Sequence, residues 1–259
     1  MEALRARGCF ATEVESYLTL TTGPLGFGGH FATFESAVLG VGSAGELRAL
    51  RRAAQGARVP AYGAPSKKRP AVFWAPKERK WALHFPGSDA SVVRRTQRAL
   101  AAGGGGGAAP PLLPVQYGAY FTVSGYLSLA GTVIFGTVLQ LLSRWGWGQR
   151  LLLSAPGLFS WGIFTHEGPS PAQRAATSFE MRFCAKGYKV GSPEAAAALQ
   201  PQGGGAERAP KPTHEVETVV GGPEPGYVAT PLYILGACVF HFLPPNRTSA
   251  LFHPSPFAQ

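Results

Sequence analysis

From Ala99 to Ser143 the chain runs for 45 residues without one charged side chain. Its second half, Tyr126 to Leu142, is apolar almost throughout. Such a stretch is stable only where its side chains leave water: in a core, between copies of the chain, or at a lipid surface. A spanning helix needs about 20 apolar residues, and Tyr126 to Leu142 supplies 17. Starting at Tyr117 reaches the length, but that part alternates like a strand. Past Arg144 come Trp145-Gly146-Trp147-Gly148-Gln149-Arg150 and Leu151-Leu152-Leu153. After Pro156-Gly157 a second apolar run extends from Leu158 to Phe164 and includes Trp161. Residues 126–164 therefore read as an apolar helical hairpin insert seated at a membrane interface. The indoles of Trp145, Trp147 and Trp161 suit the headgroup level, and Arg144 and Arg150 can reach phosphate. A buried helix pair over a sheet, an oligomer contact and a true span stay open, because periodicity does not separate them.

Five other segments alternate with period two, as half-buried strands do. They lie at Val14–Thr21, Lys80–Phe85, Val115–Val123, Phe179–Lys186 and Glu215–Val220. In the first, Val14, Ser16, Leu18 and Leu20 oppose Glu15, Tyr17, Thr19 and Thr21. Helical spacing lies between the strands, at Phe31–Val41, Leu47–Ala54, Asp89–Leu100 and from Pro225-Gly226 to about Phe242. In the helix after Ser88 or Asp89, the spacing puts Val92, Thr96 and Leu100 inward and Arg94, Arg95 and Arg98 outward. The pattern predicts an α+β fold, a mixed and largely antiparallel sheet covered by helices. With 45% apolar residues, 259 residues suffice for one such domain over 1–243. The Gly/Ala/Pro stretches 101–114 and 191–213 read as disordered loops, and 244–259 as a disordered tail.

The formal charge of +10 is unevenly spread. Between Arg48 and Arg98 there are 13 Lys or Arg against two acids, Glu78 and Asp89. That field attracts phosphate, in lipid or nucleic acid, or simply keeps the surface soluble. Nucleic acid is the weaker partner. The aromatics there are Tyr62, Phe73, Trp74, Trp81 and Phe85, without an RNP-type motif. Cys9, Cys184 and Cys238 show neither disulfide nor zinc spacing, which suits a reducing intracellular compartment. Cys238-x-x-His241 with a later His253 lacks a fourth ligand, so no metal site is expected. Asn246-Arg247-Thr248 matches a glycosylation acceptor, but the N-terminal residues lack the apolar run of a secretory signal.

Gly40-Val41-Gly42-Ser43-Ala44-Gly45 spells a dinucleotide fingerprint. That motif needs a preceding strand and an acid about 20 residues on, and here a helix precedes it and no acid occurs between Glu46 and Glu78. No cofactor-binding residue is assigned. Gly103–Gly107 is not followed by Gly-Lys-Ser/Thr, so it is no P-loop. No pair of acids has a spacing diagnostic of acid–base catalysis, and catalytic residues are unknown. Glu15, Glu180, Glu215 and Glu217 fall on strand faces expected to meet solvent. Ser88, Asp89, Ser91, Arg94 and Arg95 form a candidate anion site at a helix start, against the plainer reading of a helix cap with a basic outer face.

Gly87-Ser88-Asp89-Ala90-Ser91-Val92-Val93-Arg94-Arg95-Thr96-Gln97-Arg98 resembles a run of the saccharopine dehydrogenase-like oxidoreductases. So do Val14-Glu15-Ser16-Tyr17 with Gly23-Pro24, Pro114-Val115-Gln116-Tyr117, and Gly222-Pro223-Glu224-Pro225-Gly226-Tyr227-Val228-Ala229-Thr230-Pro231. The order agrees from about Val14 to Ala237. The resemblance implies a two-part protein, with an N-terminal Rossmann domain binding NAD(P) and a mixed α/β substrate domain after it. It implies that the helix beginning near Gly226 packs back toward the first domain. It also implies lipid-droplet, mitochondrial or membrane association and a link to glycolipid metabolism. This sequence matches the substrate part and has no room for the Rossmann domain before Val14. The expectation is a catalytically incomplete part at a lipid surface, from a truncated isoform or an incomplete gene model, with a homo-oligomer open; the alternative is an NAD(P)-dependent oxidoreductase whose dinucleotide is bound at a site the sequence does not reveal or is supplied by a partner subunit.

Overall fold

The computed structural model describes residues 2–53, 59–101, 113–200 and 209–242. The readings made for 102–112, 201–208 and 244–259, with Gly103–Gly107, Asn246 and His253, lie outside those residues.

Helix α1 (Glu2–Arg5) leads into strand β1 (Cys9–Thr21), then β2 (Gly29–His30), α2 (Phe31–Gly42) and α3 (Ala44–Ala53). The hairpin β3 (Val72–Ala75) and β4 (Lys80–His84) follows, then α4 (Asp89–Ala101) and β5 (Gln116–Val123). The apolar region holds α5 (Tyr126–Leu142), α6 (Gly146–Ser154), α7 (Pro156–Phe159) and β6 (Phe164–Thr165). After α8 (Pro171–Ala175) come β7 (Ser178–Lys189), α9 (Pro193–Ala198) and β8 (His214–Pro223). A π turn (Pro225–Ala229) then opens α10 (Thr230–Phe242).

Six strands form one sheet in the order β3-β4-β5-β1-β7-β8. Only β1 and β5 run parallel; the other pairs are antiparallel. The mixed, mostly antiparallel α+β architecture is thus as the alternation predicts. One feature of β1 was not legible. A bulge at Thr12 shifts the register between Ala11 and Glu13, so Cys9 and Ala11 join Val14 on the outer face. There they pack with Leu4, Ala185 and Val216. Gly187 lies opposite the bulge, where a Cβ would run into the Phe10 carbonyl.

The inner face corrects an expectation. Glu15 is expected to meet solvent, yet it is buried, together with Tyr17 and Thr19 on the same face. The reason is curvature. Lys77 and Glu78, in the β3–β4 turn, reach Glu215 and Glu217 of β8 and Arg182 of β7, although β3 and β8 are the two sheet edges. The sheet therefore curls over itself and encloses Tyr17, Phe73, Ala75, Ala82, Tyr120 and Cys184.

Helix α4 sits one step round from its expected face. Val92 and Leu100 are exposed, while Val93 and Gln97 turn inward, and Gln97 Nε2 donates to the Val115 carbonyl at 3.1 Å. Two adjacent valines satisfy either stripe, and the side-chain amide decides. The stretch 191–213, expected to be loose, contains α9. Ser192 caps α9 by accepting from Ala195 N at 3.1 Å, and Ala195 and Ala198 pack on the fully buried Tyr188. Small residues suffice there because a large ring fills the space.

The apolar block is a second packed unit. Phe34, Val38, Leu139 and Leu152 form its centre, with Phe135, Val138, Leu142 and Phe164 around them. The parallel pair β2–β6 ties α2 to this block. Three helices, not two, make up 126–164, because Pro156 starts a new helix where Ala155 leaves helical geometry.

Candidate lipid-facing surface and buried charge cluster

Inside the curl, Arg69 donates to both oxygens of Glu15, at 2.9 and 2.8 Å. Tyr17 Oη donates to the same carboxylate at 3.1 Å, and the guanidinium lies over Phe73, 5.0 Å from the ring centre. Burial alone would push Glu15 up, but the Arg69 hydrogen bonds and charge outweigh it, and its pKa falls below the ordinary carboxylate value. Burial pushes neighbouring Glu13 up, only partly offset by Lys186 at 3.7 Å. Burial and Glu15 together raise Tyr17, and Tyr120 is pushed up to about 12. Near neutral pH the Glu15 carboxylate stays ionised and the phenols stay protonated. This is a structural pair rather than an acid–base couple.

A second cluster brings the Cys184 thiol and the Glu215 and Glu217 carboxylates within 4.8 Å of one another. It does not fit a metal. The Lys77 ammonium already bridges both carboxylates, and burial pushes the thiol up to about 11, away from the thiolate a metal needs.

The proposed anion residues gather at the start of α4. The Ser88 carbonyl accepts from Ser91 N and Val92 N, both at 2.8 Å. Asp89 opens the helix, so a carboxylate already stands where the helix dipole favours one. Arg94 and Arg95 are exposed further along.

The glycine run that spells a dinucleotide fingerprint does not follow a strand. Gly40–Gly45 spans the α2–α3 junction, and a Cβ on Gly42 would strike the Gln149 side chain and the Ser143 carbonyl. That glycine serves helix packing. Glycine-bearing turns do follow β4, β5 and β8. Asp89 opens the helix after the first, exposed Tyr126 and Leu127 open the second, and at the third Glu224 accepts from Gly226 N and Tyr227 N. The connection between the parallel pair β1–β5 also contains the antiparallel hairpin β3–β4, so no dinucleotide-type strand–helix–strand unit is formed there.

The helical block presents a different surface. The outer stripe of α5 leaves Tyr126, Leu127, Val133, Ile134 and Leu141 exposed, Leu127 by 87%. Trp145 and Trp147 stack at 5.9 Å, and both are about half-exposed, as is Trp161. Trp161 holds a φ of 50°, a left-handed conformation unusual for so large a side chain. Arg144 and Arg150 are exposed beside them. A further apolar surface lies on the helix that the family resemblance directs toward the first domain: Leu232, Tyr233, Ile234 and Leu235 of α10 are all exposed. Cys238 is exposed on the same helix. No described helix is long and apolar enough to cross a membrane.

Comparison with known proteins places the chain. It is 37% identical over 228 residues to the human saccharopine dehydrogenase-like oxidoreductase, covering 88% of this chain and 49% of that protein. It is 33% identical over 238 residues to a probable mitochondrial saccharopine dehydrogenase-like oxidoreductase of Arabidopsis thaliana, covering 86% and 50%. Over this span the chain is a saccharopine dehydrogenase-like oxidoreductase homologue. It spans about half the length of these relatives. A Caenorhabditis elegans relative named lipid droplet localized protein is 29% identical over 233 residues, covering 87% of this chain and 50% of that one. No family model and no solved structure matches the chain.

Three of the runs that resemble the saccharopine dehydrogenase-like family, Val14–Tyr17, Gly87–Arg98 and Pro114–Tyr117, meet in space. Val14 pairs with Tyr117, and Ser16 Oγ lies 2.7 Å from Tyr117 Oη. Gln97 fixes α4 to Val115, and the backbone N–H of His30 donates to Tyr227 Oη at 2.9 Å.

Proposed function

We propose that this chain is the substrate-side part of an NAD(P)-linked saccharopine dehydrogenase-like oxidoreductase, held on a lipid surface by its helical block. The uncharged outer stripe of α5, continuing into the Trp145–Trp147 pair, carries the reading. Exposed apolar stripes of this size are costly in water, and half-exposed indoles beside arginines match the depth profile of an interface. The helices lie on the surface rather than cross it. One relative is named for the lipid droplet and another as probably mitochondrial, and these names favour a lipid droplet or a surface within the mitochondrion. A substrate dissolved in the same lipid, glycolipid included, would reach the domain without crossing water. On this reading the portion alone is catalytically incomplete, since Gly40–Gly45 lies at a helix junction rather than after a strand.

Flotation with phospholipid vesicles or isolated droplets tests the seat. The purified chain should float, and Trp145→Ser with Trp147→Ser should leave it at the bottom of the gradient. A wild-type chain that stays wholly unbound sinks the reading. Titration with NADPH should leave tryptophan fluorescence unchanged apart from inner-filter loss; saturable micromolar binding would overturn the incompleteness.

A further inference from the structure

Helix α3 has no buried side chain, and its principal neighbour is α2. Leu47 and Leu50 are exposed, Leu50 by 65%. Ten residues without tertiary packing form a marginal helix in water. Its side chains are nevertheless sorted. At about 100° per residue, Arg48, Arg51 and Arg52 fall within an arc of roughly 100°, and Leu47, Ala49, Leu50 and Ala53 occupy the other side. Glu46 shares the apolar side but lies in the first turn, at the α2 end, where the helix dipole suits it. The neighbouring acid on α2, Glu35, is half-buried.

The position of α3 is as telling as its pattern. It starts two residues after Gly42, which lies against Ser143 and Gln149 at the α5–α6 junction. That junction carries Arg144, Trp145, Trp147 and Arg150. A sorted basic helix thus begins at the aromatic surface already described. Helix α4 makes the contrast. It is equally basic, but Val93 and Gln97 fasten it to the sheet, and it needs no second partner.

We propose that α3 is an interfacial helix that gives this surface a preference for anionic phospholipid, with the headgroup phosphates as ligands of Arg48, Arg51 and Arg52. The proposal rests on the reading that the 126–164 helices meet lipid. Leu47 and Leu50 enter the acyl boundary, and the arginines stay at headgroup depth. The lipid completes the fold of α3 by covering the side that the protein leaves bare. A nucleic acid would engage the arginines but offer nothing to the leucines.

Vesicle flotation separates the two layers of the argument. Wild type should bind phosphatidylcholine vesicles containing about 30 mol% phosphatidylserine some 100-fold more tightly than pure phosphatidylcholine, at about fivefold per arginine. The preference should shrink as salt rises from about 50 to 300 mM. Arg48→Gln with Arg51→Gln and Arg52→Gln should remove most of the preference and keep the binding to neutral vesicles. Trp145→Ser with Trp147→Ser should weaken both. If the arginine variant still prefers anionic vesicles as wild type does, the proposal is wrong while the lipid seat survives. If wild type floats with neither vesicle, the seat itself has failed. A probe on Leu50→Cys, in a Cys238→Ser background, should shift to the blue on anionic vesicles. No shift there, or an equal shift on duplex DNA alone, overturns the assignment of lipid.

Discussion

Glu15 is 5% exposed and carries a charge, whereas Leu127 is 87% exposed and carries none. The first lies in the curled sheet, where Arg69, Tyr17 and Phe73 close round the carboxylate. The second lies on α5, where the inner stripe is packed and the outer one is left largely exposed among the described residues. One region buries what water would hold, and the other shows what water would reject. The sheet supplies its own partners, so it is complete as a folded object. The helical block leaves an apolar stripe uncovered among the described residues.

The widest separation between the two regions should appear in thiol chemistry. Cys184 is buried with its pKa pushed up to about 11, while Cys238 is exposed on α10. In the native chain Cys238 should react with an aqueous alkylating agent at least about 1,000-fold faster than Cys184. Mass spectrometry of the tagged peptides reads the ratio. Added vesicles should slow Cys238 alone if α10 joins the lipid surface, and an unchanged rate would confine that surface to residues 126–164.

Next in size is the sheet's ion pair. Arg69→Leu leaves the Glu15 charge buried without its partner and should cost about 3 kcal/mol in denaturant unfolding. The same variant should float with vesicles as wild type does. Because the folded pKa of Glu15 lies below its unfolded value, the stabilisation is fully present above the ordinary carboxylate range. It is lost as pH falls through the folded value. Glu13, raised by burial, works in the opposite sense. The stability gap between wild type and Glu15→Gln should therefore narrow below about pH 4.5 and stay flat above about pH 6. A gap that widens in acid contradicts the sign.

Smaller still is the lipid term. Trp145→Ser with Trp147→Ser should weaken vesicle binding about 30-fold, from about 1 kcal/mol for each half-exposed indole. The unfolding midpoint should move little. A large loss of stability would mean that the indoles hold the block together rather than face lipid. Least of all should be Lys77→Met. Lys77 and its two glutamates are substantially exposed, so removing the bridge should cost less than about 1 kcal/mol. A larger loss would make the sheet's closure depend on the clamp rather than on Phe73 and Tyr120 beneath it.

How much of this was legible follows from where each signal lies. The alternation at Val14–Thr21 and Phe179–Lys186 marked two central strands, and the spacing of Phe31, Phe34 and Val38 marked α2. The indoles and arginines of 144–161 stood out because few apolar blocks carry both. The helical spacing before Gly40–Gly45 and the lack of an acid between Glu46 and Glu78 excluded a dinucleotide turn there. Illegible were the Arg69–Glu15 pair, whose members are 54 residues apart, and α9, whose alanines look loose until Tyr188 is placed beneath them. The rotation of α4 was equally hidden, since Val92 and Val93 offer the same chemistry to either face.

The sequence by itself determined the segments, their kind and the existence of an uncharged block, because strand and helix periods are imposed by backbone geometry within a few residues. Only the tertiary structure decided which faces are covered. The curl that buries Glu15, the bulge at Thr12 that reverses a face, and the bare sides of α3, α5 and α10 all depend on which distant residues arrive. A side chain's neighbours across the fold are set by the sum of many contacts, and no local pattern carries that sum.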